Sequence, residues 1–149
     1  MKLEEEISQK QFRNEYQKLA VNIFYTHGWL MDNYNQIFKK YALTGNQFNI
    51  LRILRGQYPN YASINLLKER MLDKMSDASR LVERLCAKSL VKRTICPNDR
   101  RKVDVLISEK GLNLLNDLDK HDVDFDNILG KISESEAKEL NSLLDKIRD

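Results

Sequence analysis

The chain has 149 residues, 42% of them hydrophobic and 32% charged, which suits a single compact unit with appended helices. No run of about 18 apolar residues occurs, and the acidic start "MKLEEEISQK" lacks an apolar signal core, so a membrane span and a secretory leader are both excluded as readings and a cytoplasmic location is expected. The net charge of +3 hides a division: residues 44–107 carry 13 Lys and Arg against 6 Asp and Glu, whereas residues 108–149 carry 6 against 11. A basic block inside a folded region is suited to a polyanionic partner.

In chain order, the first element is a long helix. Phe12, Tyr16, Leu19, Ile23, Leu30, Tyr34, Ile37 and Tyr41 recur at helical spacing with one skip at His27. Some 30 residues without proline predict about 45 Å of helix, more than one small domain covers. A second row, Val21, Tyr25 and Trp29, lies on another face, so a partner chain is expected. Thr44 and Gln47 have capping-box spacing and open a helix with Phe48, Leu51 and Leu54 inward, ended by Gly56 and Pro59. A short helix follows from Ser63 to about Met71. The next spans about 75–88, buries Ala78, Leu81, Val82 and Leu85, and leaves Ser76, Asp77, Ser79, Arg80, Glu83 and Arg84 outside.

Val91–Thr94 and Val103–Ile107 read as two strands joined through residues 96–102 into a hairpin. Ser108 then starts a helical stretch carrying Leu112, Leu115, Leu118, Phe125 and Leu129. A second capping box, Ser133 to Glu136, opens a last helix with a stripe at Leu140, Leu143, Leu144 and Ile147. The resulting fold class is mainly α with a small β-hairpin: a winged helix-turn-helix at 44–107, flanked by a dimerisation helix at 1–43 and dimerisation helices at 108–149.

Three short helices and a hairpin place the third helix as the reader of a DNA major groove. Arg80 and Arg84, one turn apart, can reach phosphates or guanine. Arg100, Arg101 and Lys102 crowd three cations where a wing would lie beside the backbone or in the minor groove. Double-stranded DNA is therefore the expected partner. A winged helix that binds protein or RNA is the alternative reading.

The order of long helix, "LTGNQFNILRIL", helix-turn-helix, "SRLVERL", "LVKRTICPNDRRKVDVLISEKG" and long helix resembles the MarR family of bacterial transcription regulators over nearly the whole chain. The resemblance implies a homodimer built from the terminal helices, a palindromic operator, and repression relieved by a small ligand or by oxidation. It also implies that Asp99 steadies the wing, that Arg101 enters the minor groove, and that Ser76, Asp77, Ser79, Arg80 and Arg84 form the reader surface. The chain departs from the family pattern at Leu72 and Ser89, where glycine is usual, at Lys68, where a small residue is common, and at Ser108, where threonine is usual.

The family places an effector pocket between the long helices and the winged unit. Trp29, Tyr34, Phe38 and Phe48, with His27, are the candidates here for a small aromatic effector. Cys96 on the wing is a candidate redox thiol, and Cys86 is expected to be packed. No cofactor or metal is expected. His27 and His121 lie far apart, and no phosphate loop, zinc-ligand pair or nucleophile motif occurs, so an enzyme is not expected.

Overall fold

The computed structural model describes all residues, Met1–Asp149. Eight α-helices and three strands follow one another as α1 (Leu3–Glu6), α2 (Glu15–Phe38), α3 (Gly45–Gln57), β1 (Ala62–Ser63), α4 (Ile64–Arg70), α5 (Ala78–Ala87), β2 (Val91–Cys96), β3 (Asp99–Ile107), α6 (Glu109–Asp119), α7 (Asp122–Leu129) and α8 (Glu134–Arg148). A 3-10 turn, Lys39–Tyr41, continues α2. No helix is long and apolar enough to cross a membrane.

The helix starts follow their caps. Thr44 and Gln47 bond reciprocally, as do Ser133 and Glu136. The Ser63 and Ser108 hydroxyls accept from Leu66 and Gly111 amides. These four sites satisfy amide groups that would otherwise lack partners.

Several boundaries differ from expectation. The first long helix is 24 residues, about 36 Å. Asn14 caps its start by accepting from the Gln17 amide, leaving Phe12 outside. At the other end Ala42 turns left-handed (φ 52°), and Leu43 N–H reaches back to the Phe38 carbonyl. Gly56 sits inside α3 rather than ending it; the helix stops at Gln57 and Tyr58 turns extended before Pro59. The stretch after Ser108 is two helices, broken at Lys120 and His121. The helix expected to be the reader, α5, begins at Ala78, three residues later than expected, because the Asp77 carboxylate caps it by accepting from the Arg80 amide at 3.1 Å. Two elements were not expected at all. α1 folds back on α2 through Glu4–Lys18 (2.6 Å) and a Tyr25 hydroxyl donated to Glu6 (2.9 Å). β1 makes the hairpin a three-stranded antiparallel sheet ordered β1–β3–β2.

The core gathers Ile50, Leu51, Leu54, Leu67, Val82 and Leu85 with the strand residues Val105 and Ile107 and the α6 residues Leu115 and Leu118. Apart from Phe38 of α2, every side chain buried this deeply lies between α3 and α6. α8 buries none of its residues and packs only lightly on the rest of the chain.

The join between the reader helix and the wing is tight. Ser89 takes φ 60°, and the amides of Ser89 and Leu90 bond to the carbonyls of Cys86 and Leu85, the left-handed stop usually made by glycine. The Ser108 hydroxyl donates to the Ser89 carbonyl at 2.7 Å. A Cβ on Gly111 would lie 2.3 Å from the Leu90 carbonyl oxygen, so only glycine lets α6 approach the wing root this closely.

Candidate nucleic-acid interface

Burial decides which way α5 faces. Ala78, Val82 and Leu85 are fully buried at i, i+4, i+7, which turns Ser79, Arg80, Glu83 and Arg84 to solvent. Arg80 and Arg84 line a shallow recess of about 190 Å³ with Asn46, Ser76, Asp77 and Leu81. Neither arginine has a carboxylate partner within 4.0 Å. Ser76 and Asp77 precede the helix rather than standing on its surface. Ser76 donates its hydroxyl to the Asp73 carbonyl at 2.7 Å, and Asp77 is the cap. Both rim the recess while already bonded within the turn.

The turn from Met71 to Asp77 is held from α3. Asn49 Oδ1 accepts from the Leu72 amide at 2.9 Å, and Asn46 Nδ2 donates to Asp73 Oδ2 at 3.1 Å. Asn46 and Asn49 were missed by sequence reasoning. Two poor helix formers one turn apart on the polar face of α3 were the available signal. Lys68 is exposed, so its bulk in place of a small residue meets no neighbour.

The wing differs from a plain hairpin with a charged tip. β2 and β3 run to a two-residue turn at Pro97–Asn98, with Cys96 paired to Asp99. The next pair is Ile95 with Val103. Arg100, Arg101 and Lys102 therefore have no opposite residues and form a bulge just below the turn. Asp99 Oδ1 accepts from the Arg101 amide at 3.0 Å, which fixes the start of that bulge. All three cations are exposed and none has an ion-pair partner. At the foot of the wing, Arg93 and Glu83 lie 3.6 Å apart, a surface contact between β2 and α5. Arg80, Arg84, Arg100, Arg101 and Lys102 are like charges without carboxylate partners, and they repel one another unless an anion neutralises them. Cys96 is half-buried on the wing, as is Cys86 on α5, and both thiols are free.

The effector candidates separate into two groups. Tyr34, Phe38 and Phe48 do come together, around Phe125 of α7: ring centres are 4.8 Å apart for Tyr34–Phe125 and 4.7 Å for Phe38–Phe48. Beside them is a cleft of about 310 Å³ lined by Tyr34, Phe48, Arg52, Asp122, Phe125 and Asp126. Arg52 lies 5.8 Å over the Phe48 ring. Phe38 is almost fully buried and does not line the cleft. His27 and Trp29 are elsewhere. Both are exposed along α2, Trp29 at 42%, and neither lines the cleft. Trp29 is five residues from Tyr34, about 140° round the helix; His27 shares Tyr34's side but lies two turns, about 10 Å, along it. Grouping them with Phe48 was therefore wrong. No three His, Cys, Asp or Glu side chains converge as a metal site.

Comparison with known proteins agrees with this geometry. The family model described as MarR family matches residues 43–103. The HTH-type transcriptional regulator MgrA of Staphylococcus aureus is 34% identical over 116 residues, covering 76% of this chain and 75% of that protein. A MarR-like transcription regulator from Bacillus cereus superposes with a TM-score of 0.80 at 24% identity, covering 90% of this chain and 96% of the other. A mutant MarR from Escherichia coli complexed with operator DNA superposes at 0.79 and 23% identity, covering 93% and 99%.

Proposed function

The chain belongs to the MarR family of transcription regulators, and from that premise we propose that it is a repressor that binds a palindromic operator as a homodimer and is released by a small ligand. The observation that carries the DNA reading is the recess at the start of α5, where Arg80 and Arg84 stand unpaired beside short polar side chains. A helix end of this shape fits the major groove, with the arginines reaching guanine edges or phosphates and the wing bulge supplying charge along the neighbouring groove. The solved complex of a related fold with operator DNA supports that docking mode.

Dimerisation follows from surface left uncovered. Tyr16, Leu19 and Ile23 on α2 and Leu140, Leu143 and Ile147 on α8 have the same 3–4 spacing, and all six are at least 38% exposed. Two such stripes bury well against their counterparts across a two-fold axis. The two α5 helices then read half-sites about 34–36 Å apart. Residues 44–107 make the DNA-binding unit in this scheme, and 1–43 with 108–149 the dimerisation part.

The cleft beside Phe125 is the effector site we propose, in place of one containing His27 and Trp29. It is wedged between α2, α3 and α7, so a molecule filling it alters how the winged unit sits on the dimer helices. Release requires a ligand that prefers one lobe separation over another, and a tenfold loss of DNA affinity needs about 1.4 kcal/mol of such preference. The lining has two carboxylates against one guanidinium, which favours a neutral or cationic aromatic effector over an aromatic acid.

Binding to random-sequence duplex DNA over a salt series tests the central reading. Neutralising about six phosphates makes affinity fall about a thousandfold between 50 and 200 mM salt. Absence of duplex binding at low salt, with retention of a protein or RNA partner, would replace it.

A further inference from the structure

We infer that the DNA-reading surface includes an apolar contact, in which Leu72 and Met75 of the α4–α5 turn pack against thymine methyl groups in the major groove. The inference rests on the DNA-binding reading and adds to it a base preference. Leu72 is 87% and Met75 94% exposed, the highest values for large apolar side chains after Met1. Isolated exposed apolar residues are ordinary on protein surfaces. These two differ because their backbone is immobilised. Leu72 donates its amide to Asn49 Oδ1 at 2.9 Å. Met75 donates its amide to Asp73 Oδ1 at 3.0 Å, while the other Asp73 oxygen accepts from Asn46 at 3.1 Å. α3 thus holds in place a turn whose apolar side chains have nothing to pack on within the chain.

The occupant is set by the surroundings. Met75 lies two residues before the cap of α5 and next to Ser76, which rims the recess with Arg80 and Arg84. Lys74, between the two apolar residues, has no carboxylate partner. A protein surface apolar enough to cover Leu72 and Met75 would strand these cations without counter-charge. The major groove supplies both needs: phosphates for the cations and, on thymine alone, a methyl group projecting from the base edge. Asn46 and Asn49 act as positioning residues for the contact.

The experiment uses the full-length protein and duplexes recovered by selection from random DNA, with each thymine of a half-site replaced singly by deoxyuridine, which lacks only the methyl. Wild-type affinity is expected to drop about fourfold at one or two positions per half-site, the worth of one buried methyl. Met75→Gln and Leu72→Asn keep side-chain length and fall on exposed positions, so both variants are expected to fold; each is expected to bind with lower affinity and to lose the deoxyuridine effect at its own position. The inference is overturned if deoxyuridine changes nothing, or if it weakens wild type and variants alike. A change of oligomeric mass in either variant also overturns it, since the residues would then cover a protein interface. A wild type that binds no duplex at all removes the DNA reading together with this inference, whereas duplex binding without any methyl effect removes the inference alone.

Discussion

α5 and α8 are both amphipathic helices with clear apolar stripes, yet the chain treats them oppositely. The stripe of α5, Ala78, Val82 and Leu85, is completely buried within the chain. The stripe of α8, Leu140, Leu143 and Ile147, is about half exposed in each case, and the helix buries nothing. An apolar periodicity says that a face needs covering; it does not say which molecule covers it. The winged unit is closed by its own side chains, whereas the stripe of α8 is left uncovered, which is what the proposed dimer accounts for.

Substitutions can break this contrast at either end. The largest effect is expected from Leu143→Asp on α8. Across a two-fold axis the change acts twice, removing about 3–6 kcal/mol of apolar burial and adding two carboxylates to the interface. Light scattering should show the dimer reduced to a protomer, while the winged unit keeps its helical circular dichroism. Leu85→Ala on α5 should do the reverse. It costs about 2–5 kcal/mol of protomer stability, read by thermal or denaturant unfolding, and leaves association intact where the protein is folded.

Smaller effects divide the DNA surface itself. Arg80→Ala should cost about 1–3 kcal/mol on the selected operator and relax base preference. Arg101→Ala should weaken all duplexes alike and flatten the salt dependence. Equal losses for both variants on specific and random DNA would contradict the division between helix and wing. Ser89→Gly should stabilise the protomer by up to about 1 kcal/mol, because the left-handed backbone there strains any side chain while glycine accepts it.

The smallest effect concerns the start of α8. Backbone and side-chain hydrogen bonds from Ser133 hold the Glu136 carboxyl below the usual carboxylate range. A lowered folded value means that the capping contribution is present at neutral pH and is lost as pH falls through that value. Titration of Glu136 by NMR should show the shift, and Ser133→Ala should reverse it only in part, because the residue 133 amide, the larger cause, is kept while the hydroxyl is lost.

Much of the local chemistry, set by neighbours within one turn, was legible in the sequence, although the Asn14 and Asp77 caps were not. The spacing of Thr44 with Gln47 and of Ser133 with Glu136 predicts capping boxes and both form; Ser63 and Ser108, read as helix starts, also cap their helices. Ser79, Arg80 and Arg84 were placed outside α5 by the apolar residues between them. Features that depend on distant partners were not legible. β1 is two residues, too short to show alternation, and exists because Val105 and Asp104 pair with it. The break at His121 has no glycine or proline to announce it. There the ring lies 2.9 Å from the Tyr41 hydroxyl and 2.7 Å from Asp124, and the Tyr41 contact spans 80 residues. Asn46 and Asn49 matter through residues 72 and 73, which no periodicity connects to them. The wing bulge arises from a three-residue mismatch between strands that composition alone could not register.

The missing side chain at Gly111 has a mechanical consequence. With the Leu90 carbonyl where a Cβ would be, and Ser108 bonded across to Ser89, the start of α6 and the foot of the wing form one rigid joint. The wing from Val91 to Pro97 is a lever of about 20 Å on that joint. A tilt of α6 by about ten degrees therefore carries the bulged cations through about 3.5 Å, close to the rise of about 3.4 Å between successive nucleotides. A small rotation at this joint is thus enough to move the wing by one step along its track.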